Sequence, residues 1–117
     1  MKVLVIDDNI DTLTMLGKFL SSNDHECHTT DNGTEGLALM NQSNFDAVFL
    51  DLVMPDFTGY DVIEQLVQNG GINKSKIIVF TAATLKEEDV DSLLSKGVYT
   101  ILRKPVELKL LIQPLMM

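Results

Sequence analysis

The chain alternates between short apolar runs and longer segments whose apolar residues recur every three or four positions. Four runs are continuous and rich in β-branched or aromatic residues, which is typical of strands covered on both faces. These predicted strands are residues 3–6, 47–50, 77–80 and 98–102. A fifth segment, residues 26–30, alternates polar and apolar positions and is predicted to lie at the edge of the sheet.

The segments between the predicted strands have the spacing of amphipathic helices, with one apolar face each. The predicted faces are Ile10, Leu13, Leu16 and Leu20 in the first helix, Ile63, Leu66 and Val67 in the third, and Val90, Leu93 and Leu94 in the fourth.

Local signals mark where these helices begin and end. Gly70 and Gly97 lie where a helix is expected to stop in a left-handed conformation. Thr84 and Glu87 have the spacing of a capping box, which predicts the start of the fourth helix.

The order of elements is a strand followed by a helix, five times, with no linker between repeats. This pattern predicts an α/β fold, a doubly wound parallel sheet with helices on both faces, in one domain over residues 1–117. The last segment, residues 106–117, is helical in pattern but contains Pro114. We therefore expect a shortened, truncated fifth helix.

The composition is that of a globular domain, since 45% of the 117 residues are apolar and 22% are charged. No apolar run approaches the roughly 20 residues needed to cross a bilayer. The N-terminal apolar stretch ends at Asp7, which is too early for a secretory signal. Cys27 is the only cysteine and cannot form an internal disulfide. A cytoplasmic protein without membrane association is expected.

The net charge of −8 comes entirely from residues 1–58, which hold ten acidic residues and only Lys2 and Lys18 as basic ones. Most of these carboxylates are expected to serve solubility. An acidic chain repels nucleic acid phosphates, so direct nucleic acid binding by this domain is not expected.

Several polar residues lie at or close to the ends of predicted strands. Asp7 and Asp8 follow the first strand, Asp51 the third, Thr81 the fourth and Lys104 the fifth. Ligands of parallel α/β sheets bind beyond the carboxyl ends of the strands, so we expect these side chains to share one pocket. Three crowded carboxylates favour a cation, and oxygen ligands alone suit Mg²⁺. A lysine and a hydroxyl at the same rim complement a phosphoryl group.

Each of these residues taken alone also has a purely structural interpretation. Asp8 or Asn9 could simply cap the first helix, a threonine at a strand end is ordinary, and Lys-Pro is a common loop dipeptide. The hypothesis of a shared site rests on their joint placement at four strand ends.

Four motifs in order resemble the receiver domain of two-component response regulators. They are VIDDN at residues 5–9, FLDLVMP at 49–55 with Gly59 beyond it, FTA at 80–82 and LRKP at 102–105. The resemblance covers essentially the whole chain. It implies a flavodoxin-like fold with strand order 2-1-3-4-5, and a signalling domain rather than an enzyme.

The resemblance also implies roles for the site residues. Asp51 would accept a phosphoryl group from a sensor histidine kinase or a histidine phosphotransfer protein. Asp8, Asp51 and the backbone carbonyl of Val53 would bind Mg²⁺, with Asp7 acting through water. Lys104 and Thr81 would each contact a phosphoryl oxygen, with the amide of residue 82 as a further donor. The bond from Lys104 to the proline after it is expected to be cis.

A conformational output follows from the same resemblance. Phosphorylation would draw Thr81 inward and alter a surface formed by helix 4, strand 5 and helix 5. The family's aromatic switch position is occupied by Ile101, and Tyr99 is the alternative switch candidate. Downstream partners would be a C-terminal effector domain outside this sequence, a separate protein, or a second copy bound through that surface.

Two positions beside the expected path of the hydrolytic water hold apolar residues, whereas some receivers have polar residues there. They are Val53 and Ala83, each two residues beyond a site residue, and neither side chain can hydrogen-bond water. We therefore expect slow loss of the phosphoryl group.

Two other classes of protein share parts of this pattern. A haloacid dehalogenase-type phosphatase would place an Asp-x-Asp motif after the first strand, but position 9 is Asn9 and the chain has no room for a cap domain. A pseudo-receiver would act only as a scaffold, although the acidic and lysine set is complete here.

Overall fold

The computed structural model describes residues 1–105 and 107–116, which contain one sheet of five parallel strands in the order β2-β1-β3-β4-β5. The flavodoxin-like fold predicted from the sequence is thereby confirmed. The strands are β1 (Lys2–Ile6), β2 (Glu26–Thr30), β3 (Ala47–Leu50), β4 (Lys76–Thr81) and β5 (Thr100–Arg103).

Within the described residues, α-helices lie on both faces of this sheet. They are α1 (Ile10–Ser22), α2 (Gly33–Gln42), α3 (Gly59–Asn69), α4 (Glu87–Lys96) and α5 (Leu108–Ile112). Short 3-10 turns at Gly71–Asn73 and Gln113–Leu115 follow α3 and α5. Pro114 lies inside the second of these turns, so α5 is short. Val106 and Met117, at the ends of the predicted last helix, lie outside the described residues.

The alternation of side chains along β1 divides the core into two layers. Val3 and Val5 pack with Leu16 of α1 and Leu111 of α5. The intervening Leu4 and Ile6 face the opposite layer, which α2, α3 and α4 cover. Both faces of the strand are therefore buried, and this explains its continuous apolar run.

Some residues of the predicted helix faces are exposed. Ile10 begins α1 and is 60% exposed, and Val67 and Leu94 are also largely accessible, whereas Leu16, Leu66 and Leu93 are buried as predicted. An apolar position at the margin of a helical stripe can face solvent without contradicting the helix.

Helix ends were predicted with mixed success. Gly70 and Gly97 end their helices with φ of 78° and 118°, as expected for left-handed caps. The capping box predicted at Thr84 is wrong, because α4 begins at Glu87 and the carboxylate of Asp89 accepts a hydrogen bond from the Lys86 N–H.

The last strand begins two residues later than predicted. The N–H of Val98 still donates to the carbonyl of Leu93 in α4, so this residue completes the helix end. The N–H of Tyr99 donates to Ile77, and the ladder of β5 then runs from Thr100. Apolar character at residue 98 reflects burial at a helix end rather than a place in the strand.

The described residues contain no helix that is long and apolar enough to cross a membrane.

Two glycines inside helices provide a matched test of the packing. A Cβ at Gly36 of α2 would lie 2.8 Å from Cγ1 of the fully buried Ile6, whereas at Gly17 of α1 the nearest atom is 3.8 Å away. We predict that Gly36→Ala lowers the free energy of unfolding by about 1–3 kcal/mol through overpacking. Gly17→Ala should raise it by about 0.5–1 kcal/mol through helix propensity. Urea unfolding of both variants checks this, and equal effects in the two helices would contradict it.

Candidate functional site

The three carboxylates predicted to share a pocket do lie together at the carboxyl edge of the sheet. Asp7 and Asp8 directly follow β1, and Asp51 directly follows the adjacent β3, whose Leu50 is in register with Ile6. Each carboxylate offers an oxygen within 4.8 Å of the other two. Asp7 and Asp51 are 1% and 6% exposed, whereas Asp8 faces solvent.

Lys104 reaches this cluster from the end of β5, the outermost strand next to β4. Its Nζ lies 2.6 Å from Oδ2 of Asp7 and 3.6 Å from Oδ2 of Asp51. The ammonium also lies over the ring of Phe80, 5.2 Å from its centroid. The peptide bond to Pro105 is cis, as the resemblance implied. One lysine thus compensates two buried carboxylates.

The electrostatics of Asp7 show that this compensation is incomplete. Burial raises the pKa of the Asp7 carboxyl above its usual value, and the negative charge of Asp51 raises it further. Hydrogen bonds from Lys104 and from the Asn9 N–H, the latter 2.9 Å long, oppose the rise but do not cancel it. A divalent cation beside the cluster would stabilise the charged form.

The donor chemistry of this cluster fits Mg²⁺. Carboxylate oxygens are the ligands that this ion prefers, and it is commonly held by one or two of them together with water. The solvent-facing position of Asp8 leaves room for such waters.

Thr81 ends β4 and is completely buried. Its Oγ1 accepts a hydrogen bond of 3.1 Å from the Ala83 N–H, and its carbonyl accepts one of 2.9 Å from the Lys104 N–H. The threonine is therefore linked both to the loop after β4 and to the residue that follows β5.

The loop after β3 is held close to Asp51 by a glycine and a helix cap. The Gly59 N–H donates to the carbonyl of Leu52 over 3.2 Å, and a Cβ at Gly59 would lie 2.7 Å from Cα of Leu52. Thr58 and Asp61 form a capping box that starts α3 at this glycine. Only glycine therefore allows α3 to begin so close to the strand end.

An open cavity of about 490 Å³ lies over the carboxylates. Its lining is partly apolar, because it includes Val53, which is 61% exposed, and Ala83. The lining residues are Asp8, Asn9, Thr12, Asp51, Val53, Thr81, Ala82, Ala83 and Lys104. Sequence reasoning missed Thr12, although its position one turn after Asn9 places it on the same side of α1.

The two candidate switch residues occupy different environments. Ile101 is in register with Val79 and packs, partly buried, against the core layer on the α3 and α4 side. Tyr99 precedes β5, is 41% exposed, and lies with its ring 4.9 Å from the Lys76 ammonium. Thr81 is level with Arg103, so Ile101 is the nearer of the two along the strand.

An acidic cluster, a lysine and a buried threonine thus lie together at the carboxyl edge of a flavodoxin-like sheet, which is the arrangement expected of a receiver domain. Residues 3–115 match the response regulator receiver domain, and the chain belongs to that family.

Relatives of the chain include both small and very large proteins. Protein PilH of Pseudomonas aeruginosa is 29% identical over 91% of this chain and 87% of its own length. The sensor histidine kinase RcsC of Escherichia coli K12 is 31% identical over 98% of this chain but only 12% of its own length. The hybrid signal transduction histidine kinase L of Dictyostelium discoideum is 33% identical over 91% of this chain and 6% of its own. The chain therefore spans a small part of the kinases it matches.

Solved structures agree with this assignment. The Vibrio cholerae chemotaxis protein CheY4 superposes with a TM-score of 0.87 at 27% identity, covering 98% of this chain and 95% of that one. The Thermotoga maritima response regulator TrrA, solved with Mg²⁺ and BeF, has a TM-score of 0.84 at 26% identity and covers 98% and 96%.

The pairing of Lys104 with Asp7 yields a prediction about stability. Replacing one partner of a buried ion pair leaves the other charge uncompensated. We predict that Lys104→Met lowers the free energy of unfolding by about 3 kcal/mol in EDTA. Adding Asp7→Asn to this variant should restore much of the loss, because the buried charge is then removed. Urea unfolding of the parent, both single variants and the double variant checks this. A double variant no more stable than Lys104→Met would contradict it.

Proposed function

We propose that the protein is the phosphoacceptor domain of a two-component system and that Asp51 takes up the phosphoryl group. The observation that carries the proposal is the convergence of Lys104 on Asp7 and Asp51 beneath an open cavity, with ammonium–carboxylate distances of 2.6 and 3.6 Å. This arrangement offers a nucleophile and a cation to one incoming phosphoryl group.

In this proposal Asp8, Asp51 and the backbone carbonyl of Val53 hold Mg²⁺, and Asp7 contributes through water. The bound ion would neutralise charge between the nucleophile and the phosphoryl oxygens. The clustering of the three carboxylates and the raised pKa of Asp7 support such a site.

Asp51 is the proposed nucleophile because its carboxylate both lies in the cluster and lines the cavity. A carboxylate oxygen would form a bond to phosphorus while the phosphorus–nitrogen bond of a phosphohistidine breaks. The imidazole nitrogen keeps the electron pair of that bond, and the product is an acyl phosphate. Phosphoryl transfer of this kind depends mainly on positioning and charge compensation.

Lys104 and Thr81 would bind the transferred group. The Lys104 ammonium, between Asp7 and Asp51, can pair with a phosphoryl oxygen on the latter. Thr81 lines the same cavity, and its hydroxyl would donate to another oxygen. The Ala82 amide is a further donor candidate from the same wall.

The output would be conformational. As Thr81 moves toward the phosphoryl group, space opens beside the core layer in which Ile101 is only partly buried. Ile101 is therefore the main switch candidate and Tyr99 the second. Their movement would alter the surface of α4, β5 and α5, where an effector domain, a downstream protein or a second copy of the chain would bind.

Receiver segments within sensor histidine kinases support a kinase, or a histidine phosphotransfer protein, as the phosphoryl donor. The net charge of −8 supports output through protein contacts rather than direct nucleic acid binding. We place this signalling in the cytoplasm, without membrane contact by this domain.

Replacing Asp51 with asparagine should abolish phosphorylation. Incubation with acetyl phosphate and Mg²⁺ is expected to add one phosphoryl mass to the parent, and neither Asp51→Asn nor omission of Mg²⁺ should allow it. Asp56→Asn is the matched control: it makes the same chemical change five residues further along the same loop, at a left-handed position that asparagine tolerates. Intact-mass spectrometry measures the adduct.

The outcomes separate the competing functions. No adduct on the parent despite confirmed Mg²⁺ binding would favour a scaffold that works without phosphorylation. Continuous phosphate release that survives Asp51→Asn would favour the phosphatase.

The apolar mouth of the cavity predicts a long-lived phosphoryl group. Val53 presents a methyl surface where a polar side chain could hold water, and it is exposed enough to be exchanged at little cost to folding. We predict that Val53→Asn loses the phosphoryl group about tenfold faster by orienting that water. Val53→Leu is the control, because leucine is similar in shape to asparagine but apolar, and this variant should lose the phosphoryl group at the rate of the parent. Decay of the adduct mass gives the rates, and equal rates in all three proteins would contradict the prediction.

A further inference from the structure

Arg103, the last residue of β5, holds the loop that follows Thr81. Its Nη2 donates a hydrogen bond of 3.2 Å to the backbone carbonyl of Leu85. Leu85 belongs to residues 82–86, which connect the fourth strand to the fourth helix and are called the β4–α4 loop below. The bond therefore joins this loop to the neighbouring strand, across 18 residues of sequence.

The end of β5 reaches the candidate site from two directions. Lys104 extends its ammonium to Asp7, while Arg103 extends its guanidinium to the β4–α4 loop. Consecutive residues of an extended chain point to opposite sides, so the two cations do not compete for one partner. Arg103 is also in register with Thr81 across the sheet.

The loop that Arg103 holds forms one wall of the cavity. Ala82 and Ala83 line it together with Asp51, and the Ala83 N–H donates to Oγ1 of Thr81. The first three residues of the loop are small, and both Ala82 and Thr84 are exposed, so their side chains provide little packing. The far end is held by the buried side chain of Leu85, by the hydrogen bond from Arg103 to its carbonyl, and by the Lys86–Asp89 cap of α4.

Arginine suits this task better than other side chains. Its guanidinium stays charged at every accessible pH, and hydrogen bonds from charged donors are roughly twice as strong as neutral ones. Its length also lets it reach a carbonyl in an adjacent loop while its own backbone remains in the strand.

We propose that Arg103 is a positioning residue for the phosphoryl site. By holding the carbonyl of Leu85, it keeps Ala82 and Ala83 beside Asp51 before the phosphoryl group arrives. Ordering a loop costs conformational entropy, and a loop that is already ordered does not pay this cost when the anion binds. Arg103 would therefore raise the affinity for the anion without contacting it. The inference rests on the proposed phosphoacceptor function. The proposed Mg²⁺ ligands follow β1 and β3, so metal binding alone does not depend on this loop.

The test compares the parent with Arg103→Met and with Lys109→Met. The second variant is the charge-matched control, because Lys109 lies in α5 with its side chain 78% exposed and pairs with Glu107. Three quantities are measured: amide hydrogen exchange of residues 82–86 without metal or anion, Mg²⁺ affinity, and beryllofluoride affinity at saturating Mg²⁺. Unfolding midpoints verify that each variant is folded.

Arg103→Met should accelerate exchange in the β4–α4 loop and weaken beryllofluoride binding about tenfold, the effect of losing one charged hydrogen bond. Its Mg²⁺ affinity should equal that of the parent, and Lys109→Met should match the parent in all three measurements.

Unchanged loop exchange in Arg103→Met would overturn the inference. The inference would also be overturned if both variants bound the anion more weakly and this difference from the parent disappeared at high salt. That result would indicate a general electrostatic effect of the lost positive charge. An equal loss of Mg²⁺ affinity in Arg103→Met would also overturn it. If the parent itself takes up neither beryllofluoride nor a phosphoryl group, the proposed function fails and the positioning role fails with it. If the parent binds and Arg103→Met binds equally well, only the positioning role is wrong.

Discussion

The ion pair between Lys104 and Asp7 is the interaction on which the rest of the site depends. Two carboxylates that are almost completely buried, Asp7 and Asp51, share one ammonium group at 2.6 and 3.6 Å. Burial and mutual repulsion still raise the pKa of Asp7, so the folded chain carries an electrostatic cost at this edge. That cost is a reason for the cluster to bind cations. In the proposed function, a bound metal ion would take over part of this charge compensation, and Lys104 would then exchange a carboxylate partner for a phosphoryl oxygen.

The parallel sheet brings the carboxylates together, and the segments around the strand ends border the cluster. Neighbouring strands β1 and β3 end level with each other, so the aspartates that follow them lie close together. Gly59 lets α3 begin directly beside the end of β3, and the Thr58–Asp61 cap fixes that start. On the other side, Thr81 is linked to Lys104 and to the loop after β4 through its carbonyl and hydroxyl. The charged cluster is thus bordered by backbone segments that hydrogen bonds and a helix cap tie to the strand ends.

Much of the fold and site could be predicted because the relevant signals are local. Continuous apolar runs identified β1, β3 and β4. The rule that ligands bind beyond the carboxyl ends of parallel strands grouped the residues of the candidate site, Asp7, Asp8, Asp51, Thr81 and Lys104. Boundaries were less predictable. Val98 was assigned to the last strand because it is apolar, yet it is buried at the end of α4. Thr84 has the spacing of a cap, but α4 begins three residues later because Asp89 supplies the acceptor instead.

The sequence by itself determined the repeating order of strands and helices, the burial of most core positions and the acidic chemistry of the strand ends. The strand order came from the resemblance to a family, since hydrophobic pattern alone does not specify which strands are neighbours. Only the tertiary structure decided that Lys104 pairs most closely with Asp7, that Ile10 is exposed, and that Arg103 holds the carbonyl of Leu85. The reason is the distance along the sequence between the residues in contact. Hydrophobic periodicity relates residues three or four positions apart, whereas the Arg103–Leu85 and Lys104–Asp7 contacts join residues 18 and 97 positions apart and depend on how the elements pack.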